Sequence, residues 1–339
     1  MNQRTLHLLE KIQIQLATVI AGVAVYAAAW PLVRPWDVEG PVAFLPTGDA
    51  GGAVAFALIV WLVAGVTALA TVRARPEGAL VATLLACGAV SIRSPQICSL
   101  LWRRSDALGG MYAGMMVETL LLAVVLVGAV AVVALVRSLV ATVRPGWLWR
   151  DPIERLDGGP AADDRPAGWS QRWGREMALL LGFRPRASGL PVETSQDGSA
   201  PRPAVGTEGV ARAGGCLAVA LAAALVLLWL LLRSSERGQI LFAILVSFVL
   251  AALLAHQLMP SRHSMLMWVL PFAVAAFLYG AGAGMSLGDS PRAWTAVPLR
   301  ARALPIDWLT AGCGGVFLGY WLSARIHEMR FIEKHEREQ

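Results

Sequence analysis

Arg93 and Glu118 are the residues of this chain best placed to do chemistry. Both fall inside long apolar runs, where an unpaired charge costs at least about 2.5 kcal/mol. Arg93 stands nine residues before Trp102, and Glu118 nine residues after Gly109, with the short loop 103–108 between. In an antiparallel hairpin rising about 1.5 Å per residue, they share one depth. The spacing predicts an intramembrane ion pair. Such a pair either locks two helices together or borders a path for a proton or polar substrate. Beside Arg93, the residues Ser91, Ser94 and Gln96 surround Pro95. Proline removes a helix donor and clashes with the preceding turn, and helices broken at membrane depth line cavities or bind ions. Ser91, Ser94, Pro95 and Gln96 are therefore candidate cavity-lining residues. A second geometry ends the helix at Ile92 and lays Pro95 to Trp102 along the interface, which dissolves the depth match.

Other clusters carry less. His256, Met259, His263, Met265 and Met267, with Met111, Met115 and Met116, offer soft ligands of the kind that select Cu(I). Their spacing matches no copper motif. His327–Glu328 opens like a zinc-protease signature, but Phe331 stands where the second histidine is required. No metal and no cofactor is expected. The four cysteines form no CxxC pair and read as small apolar residues. Gly110 and Gly114, Gly280 and Gly284, and Gly315 and Gly319 have GxxxG spacing, which lets helix backbones approach closely.

The elements that must hold these residues are eight long apolar runs. They extend from Ile12 to Pro31, Gly51 to Val72, Ala79 to Trp102, Gly109 to Val136, Gly214 to Leu232, Gln239 to Met259, Met265 to Met285, and Asp307 to Ala324. Each suits the roughly 30 Å hydrocarbon layer. Each must be a helix, because an open strand edge in lipid leaves its backbone groups unpaired. Charged residues make up 15% of the 339, against about 25% in a soluble domain. The predicted fold class is an all-α, polytopic transmembrane bundle of about eight spans. Arg4 and Lys11 could form the n-region of a cleaved leader with Ala27 to Ala29 as its cleavage site, but that n-region is long and Gln13 and Gln15 interrupt the apolar stretch, so the first run is expected to be a retained span.

The chain divides into a four-helix half (1–136), a charged linker (137–213), a second four-helix half (214–325) and a charged tail (326–339). Within the linker, Trp169, Trp173, Met177, Leu180 and Leu181 recur at helical spacing. They predict an amphipathic helix near 168–183, lying on the membrane surface or docked on the bundle. Residues 184–210 are rich in Pro, Gly, Ser and Thr, a composition that buries too little surface to fold. Arg137, Arg144, Arg150 and Arg212 flank the membrane and assign the linker and both termini to the cytoplasm. The net charge of +6 is read as these basic flanks, not as nucleic-acid binding. Arginine-rich, lysine-poor composition with abundant Ala, Gly and Pro points to a bacterial inner membrane. The expected function is non-catalytic, as a permease-like protein or an integral subunit of a membrane assembly. The alternatives are a membrane-embedded lipid-modifying enzyme and a scaffold that recruits a cytoplasmic partner. The lipid bilayer is the expected environment, with other membrane subunits or a second copy as partners.

Overall fold

The computed structural model describes residues 3–37, 39–144, 147, 168–181, 207–259, 264–284, 295 and 297–338. Helix α1 (Gln3–Ala24) continues through a π-helical segment (Val25–Ala29) and a last turn (Trp30–Val33). A loop carrying the single turn α2 (Phe44–Thr47) leads to α3 (Ala50–Ala70). Asp49 caps α3 by accepting a hydrogen bond from the Gly52 N–H at 2.8 Å, as helix N-termini favour. Helix α4 (Pro76–Arg93) starts on a proline, whose missing N–H costs nothing there. The short α5 (Cys98–Arg103) precedes the 36-residue α6 (Leu108–Val143). The linker carries α7 (Trp169–Leu181), and after it come α8 (Thr207–Leu231), α9 (Arg237–Leu258) and α10 (Val269–Ala283). A turn at Pro305–Asp307, a second π-helical segment (Trp308–Cys313) and α11 (Gly314–Glu338) end the chain as one continuous helical stretch.

Among the described residues, seven helices are long and apolar enough to cross a membrane. The eighth expected span, 307–324, falls on the last helical stretch, which is not among the seven. Every residue from 301 to 317 is buried, so this stretch runs through the bundle and meets little lipid. It can therefore carry Asp307, Thr310 and Ser323 where a lipid-facing helix carries Leu or Val. By contrast, Val19, Ile20 and Val23 on α1, Leu58 and Leu62 on α3, and Val226 and Leu230 on α8 point outward from the core. Such a surface is compatible with lipid and not with water.

The two sequence halves interlock. Helix α4 packs on α1, α3 and α11, while α6 packs on α3, α7 and α10. Several boundaries depart from the sequence reading: α1 begins at Gln3 rather than Ile12, and α8 at Thr207 rather than Gly214, inside the stretch 184–210 expected not to fold. The third span ends at Arg93, not Trp102. Ser94, which precedes proline, takes an extended backbone (φ −63°, ψ 131°) because the proline ring disfavours the helical region there. Helix α6 runs to Val143 rather than Val136, since α7 packs along its last turns and Arg137 is buried there.

The bundle thus has two ends. The linker face carries the start of α1, the 71–75 turn, the end of α6, α7, the end of α9 and the end of α11. The far face carries the ends of α1 and α4 and the starts of α6, α9 and the last helical stretch.

Candidate functional site

On the far face, α9 opens with Arg237 and the last stretch opens with Asp307. The guanidinium donates to both carboxylate oxygens of Asp307, at 2.8 and 2.6 Å, and to the Ser91 carbonyl at 2.8 Å. Asp307 also accepts from the Leu304 N–H at 2.7 Å and is fully buried. Ser91 Oγ lies 3.1 Å from Thr310 Oγ1, within the second π-helical segment. Three elements therefore meet on one bidentate ion pair. Next to it, Tyr279 donates to the Ala303 carbonyl at 2.7 Å and accepts from Trp308 Nε1 at 3.0 Å.

Arg93 and Glu118 do not pair with each other. Arg93 donates to the Tyr26 carbonyl at 2.7 Å and lies 4.8 and 4.9 Å from the Tyr26 and Trp30 ring centroids. Tyr26 belongs to the first π-helical segment, where the helical bonding pattern is displaced. Glu118 Oε2 accepts from the Leu45 N–H at 2.9 Å, one of the donors that the first turn of a helix leaves free. Its Oε1 is buried and, among the described residues, makes no hydrogen bond of normal geometry. The depth match failed for two reasons. Helix α4 stops at Arg93, and equal depth does not bring two side chains to one azimuth.

The four candidate cavity residues sit together at the end of α4, but each tethers a different element. Ser91 holds the Arg237 site. Ser94 Oγ accepts from the Val42 N–H at 2.9 Å. Gln96 donates to Glu236 at 3.0 Å. Pro95 stops the helix. Ser94, Glu118, Ser99 (to the Glu39 carbonyl, 2.8 Å) and Arg104 (to the Pro46 carbonyl, 3.3 Å) together fasten the loop 34–49 into the bundle. Val42, Ala43 and Phe44 are consequently buried.

The linker face holds a larger ionic cluster. Arg75 contacts Glu77 at 3.4 Å and also binds Glu328. Arg325 contacts Glu328 at 3.0 Å and also binds Glu10. Glu10 accepts from the Arg75 N–H at 2.9 Å. All five side chains are buried. The cluster ties α1, the α3–α4 turn and α11 together. Nearby, the buried Arg137 lies 3.5 Å from Glu176 of α7 and donates to the Val72 and Ala74 carbonyls at 3.4 and 3.2 Å. The sequence marked Glu328 only as part of a failed zinc motif and Arg137 only as a basic flank, because the charges of this cluster lie just beyond apolar runs, where charges are ordinary. The available signal was three acids, Glu10, Glu77 and Glu328, flanking spans on a face otherwise rich in arginine.

The expected membrane-surface helix forms over Trp169–Leu181 but lies against α6. Trp173 donates to the Ala131 carbonyl at 3.1 Å, and Arg172 to the Ala141 carbonyl at 3.2 Å. Leu180 is buried, Met177 and Leu181 pack on the core, and Trp169 remains exposed. The glycine pairs divide. Gly315 and Gly319 face the α9 backbone so closely that a Cβ at either would collide with it. Among the described residues, Gly114 touches Pro46, Gly284 meets only the carbonyls of its own helix, and Gly110 and Gly280 meet nothing within 4 Å. His256 Nδ1 lies 2.8 Å from Ser323 Oγ, which also accepts from Gln257 at 2.7 Å, knotting α9 to α11. His263 lies outside the described residues. Among those described, no group of three or more His, Cys, Asp or Glu is placed to hold a metal ion.

The chain matches no family model, no curated protein and no solved structure. Its class rests on the architecture: a multi-pass, all-helical membrane protein whose buried charges join helices distant in sequence.

Proposed function

We propose that the chain is a non-catalytic, integral subunit of a membrane assembly in the bacterial inner membrane, with both termini and the linker cytoplasmic. One observation carries this reading: the buried cluster of Glu10, Arg75, Glu77, Arg325 and Glu328, which holds the first and last helices in one arrangement. A carrier rocks one part of its bundle against another. Movement of α1 or α11 here would strand a buried charge, which costs about 3–5 kcal/mol. A bundle held in this way suits a subunit that positions other subunits, and the docked α7 extends the same rigid face. Arg73, Arg75, Arg137, Arg144 and Arg325 all stand on that face, the side that basic residues assign to the cytoplasm.

Spin labels at Asp106 and Arg233, in full-length protein reconstituted into vesicles, test the rigidity. One narrow distance distribution, unchanged by a proton gradient, is expected. Two populations that exchange under the gradient would replace the subunit reading with a carrier. Protein extracted from native membranes should migrate above the monomer at fixed stoichiometry. Single cysteines at Ser105 and Gln171 test the sidedness: an impermeant reagent added to intact cells should reach only Ser105.

A permease-like second reading draws on Oε1 of Glu118, a buried carboxylate oxygen well inside α6 that makes no hydrogen bond of normal geometry among the described residues. Proton uptake that Glu118→Gln abolishes would favour it.

A further inference from the structure

The linker-face ends of α3 and α6 enclose an apolar groove of about 280 Å³, lined by Leu69, Val72, Leu139 and Val143, with Arg144 and Trp147 at its mouth. Leu69, Leu139 and Val143 are 57%, 49% and 78% exposed, so the groove opens outward from the bundle. Two arginines converge on one ring there. The Arg144 guanidinium lies 4.4 Å from the Trp147 centroid, and that of Arg73 lies 5.1 Å away. Among the described residues, neither has a carboxylate partner. Stacking on an aromatic face holds a guanidinium in place while leaving its N–H donors free. The 21 residues of α3 match the roughly 30 Å hydrocarbon layer at about 1.5 Å per residue. Arg73, three positions past its end, therefore reaches headgroup depth, and Arg144 shares that depth because both guanidiniums lie on the Trp147 ring.

We propose that this groove binds an anionic phospholipid of the leaflet on the linker side. Its acyl chains lie against the apolar lining, and its phosphate sits between Arg73 and Arg144. Charge and depth select this occupant. Two cations without carboxylate partners among the described residues call for an anion, and an apolar groove continuous with the lipid-facing surface calls for hydrocarbon joined to it. A zwitterionic lipid satisfies only the second requirement, and inorganic phosphate only the first.

The test uses the purified full-length chain in detergent, titrated with mixed micelles of phosphatidylglycerol or phosphatidylcholine, with retained lipid read by native mass spectrometry. The wild type should retain phosphatidylglycerol preferentially. Arg73→Gln with Arg144→Gln should weaken that retention about thirty-fold, from the usual contribution of two basic residues at a membrane surface. Both arginines are exposed, so the variant keeps its fold. Val143→Trp, which fills the groove with both arginines intact, should also weaken it. Equal retention of phosphatidylcholine by the wild type, undiminished phosphatidylglycerol in the glutamine variant, or displacement by inorganic phosphate would each overturn the proposal.

Discussion

Asp307 receives both terminal nitrogens of Arg237, at 2.8 and 2.6 Å, where its carboxylate is wholly shielded from solvent. The pair joins the first residue of α9 to the turn that starts the last helical stretch, and Arg237 adds the Ser91 carbonyl at the end of α4. Removing one partner leaves the other buried without compensation. Asp307→Ala is expected to destabilise the protein by about 3–5 kcal/mol. Asp307→Leu combined with Arg237→Met should recover part of that loss. Unfolding in mixed detergent measures the cycle, and additive single effects would show that the two charges are held independently.

The separate partners of Arg93 and Glu118 predict additivity. Arg93→Met and Glu118→Leu should sum to within about 0.5 kcal/mol, as independent sites do. Glu118→Leu alone strands the Leu45 N–H, an expected cost of about 1–3 kcal/mol. It should also expose the loop 34–49 to protease, whereas Glu118→Gln keeps an acceptor and should leave the loop protected. Strong coupling in the cycle would restore the ion pair that the sequence spacing predicts.

Glu328 serves both Arg75 and Arg325, so its loss takes a carboxylate from two buried guanidiniums at once. Glu328→Ala should cost about 3–5 kcal/mol and loosen α1 and α11 together. Hydrogen exchange would detect this as faster exchange in both helices. Loosening of α11 alone would mean that Glu10 and Arg75 hold α1 without it.

The glycine pairs yield a graded test. Gly319→Ala drives a Cβ into the Val249 backbone of α9, which cannot swing aside as a side-chain tip can. Overpacking of this kind costs about 1–3 kcal/mol. Gly110→Ala and Gly280→Ala meet open space and should be neutral or mildly stabilising in the isolated chain. Thermal unfolding of the three variants side by side separates the cases. Equal losses would indicate that Gly110 and Gly280 are covered by another chain.

The chain's own residues determine that it is a bundle of membrane-spanning helices. Hydrocarbon leaves a backbone no other way to satisfy its hydrogen bonds, so run length and charge-poor composition suffice. The same logic marks Pro95 as a break and Trp169 to Leu181 as a helix. Partner choice was decided by the tertiary structure. Sequence spacing gives depth along one axis, but contact also needs azimuth, which packing sets. Thus Arg93 turns to α1, Glu118 turns to the loop that holds Leu45, and Arg237 finds Asp307 seventy positions away. Packing likewise distinguished Gly315 and Gly319 from two glycine pairs of identical spacing. It also enclosed residues 301–317, where the least apolar span begins, because a segment surrounded by protein can bury polar groups that lipid would not solvate.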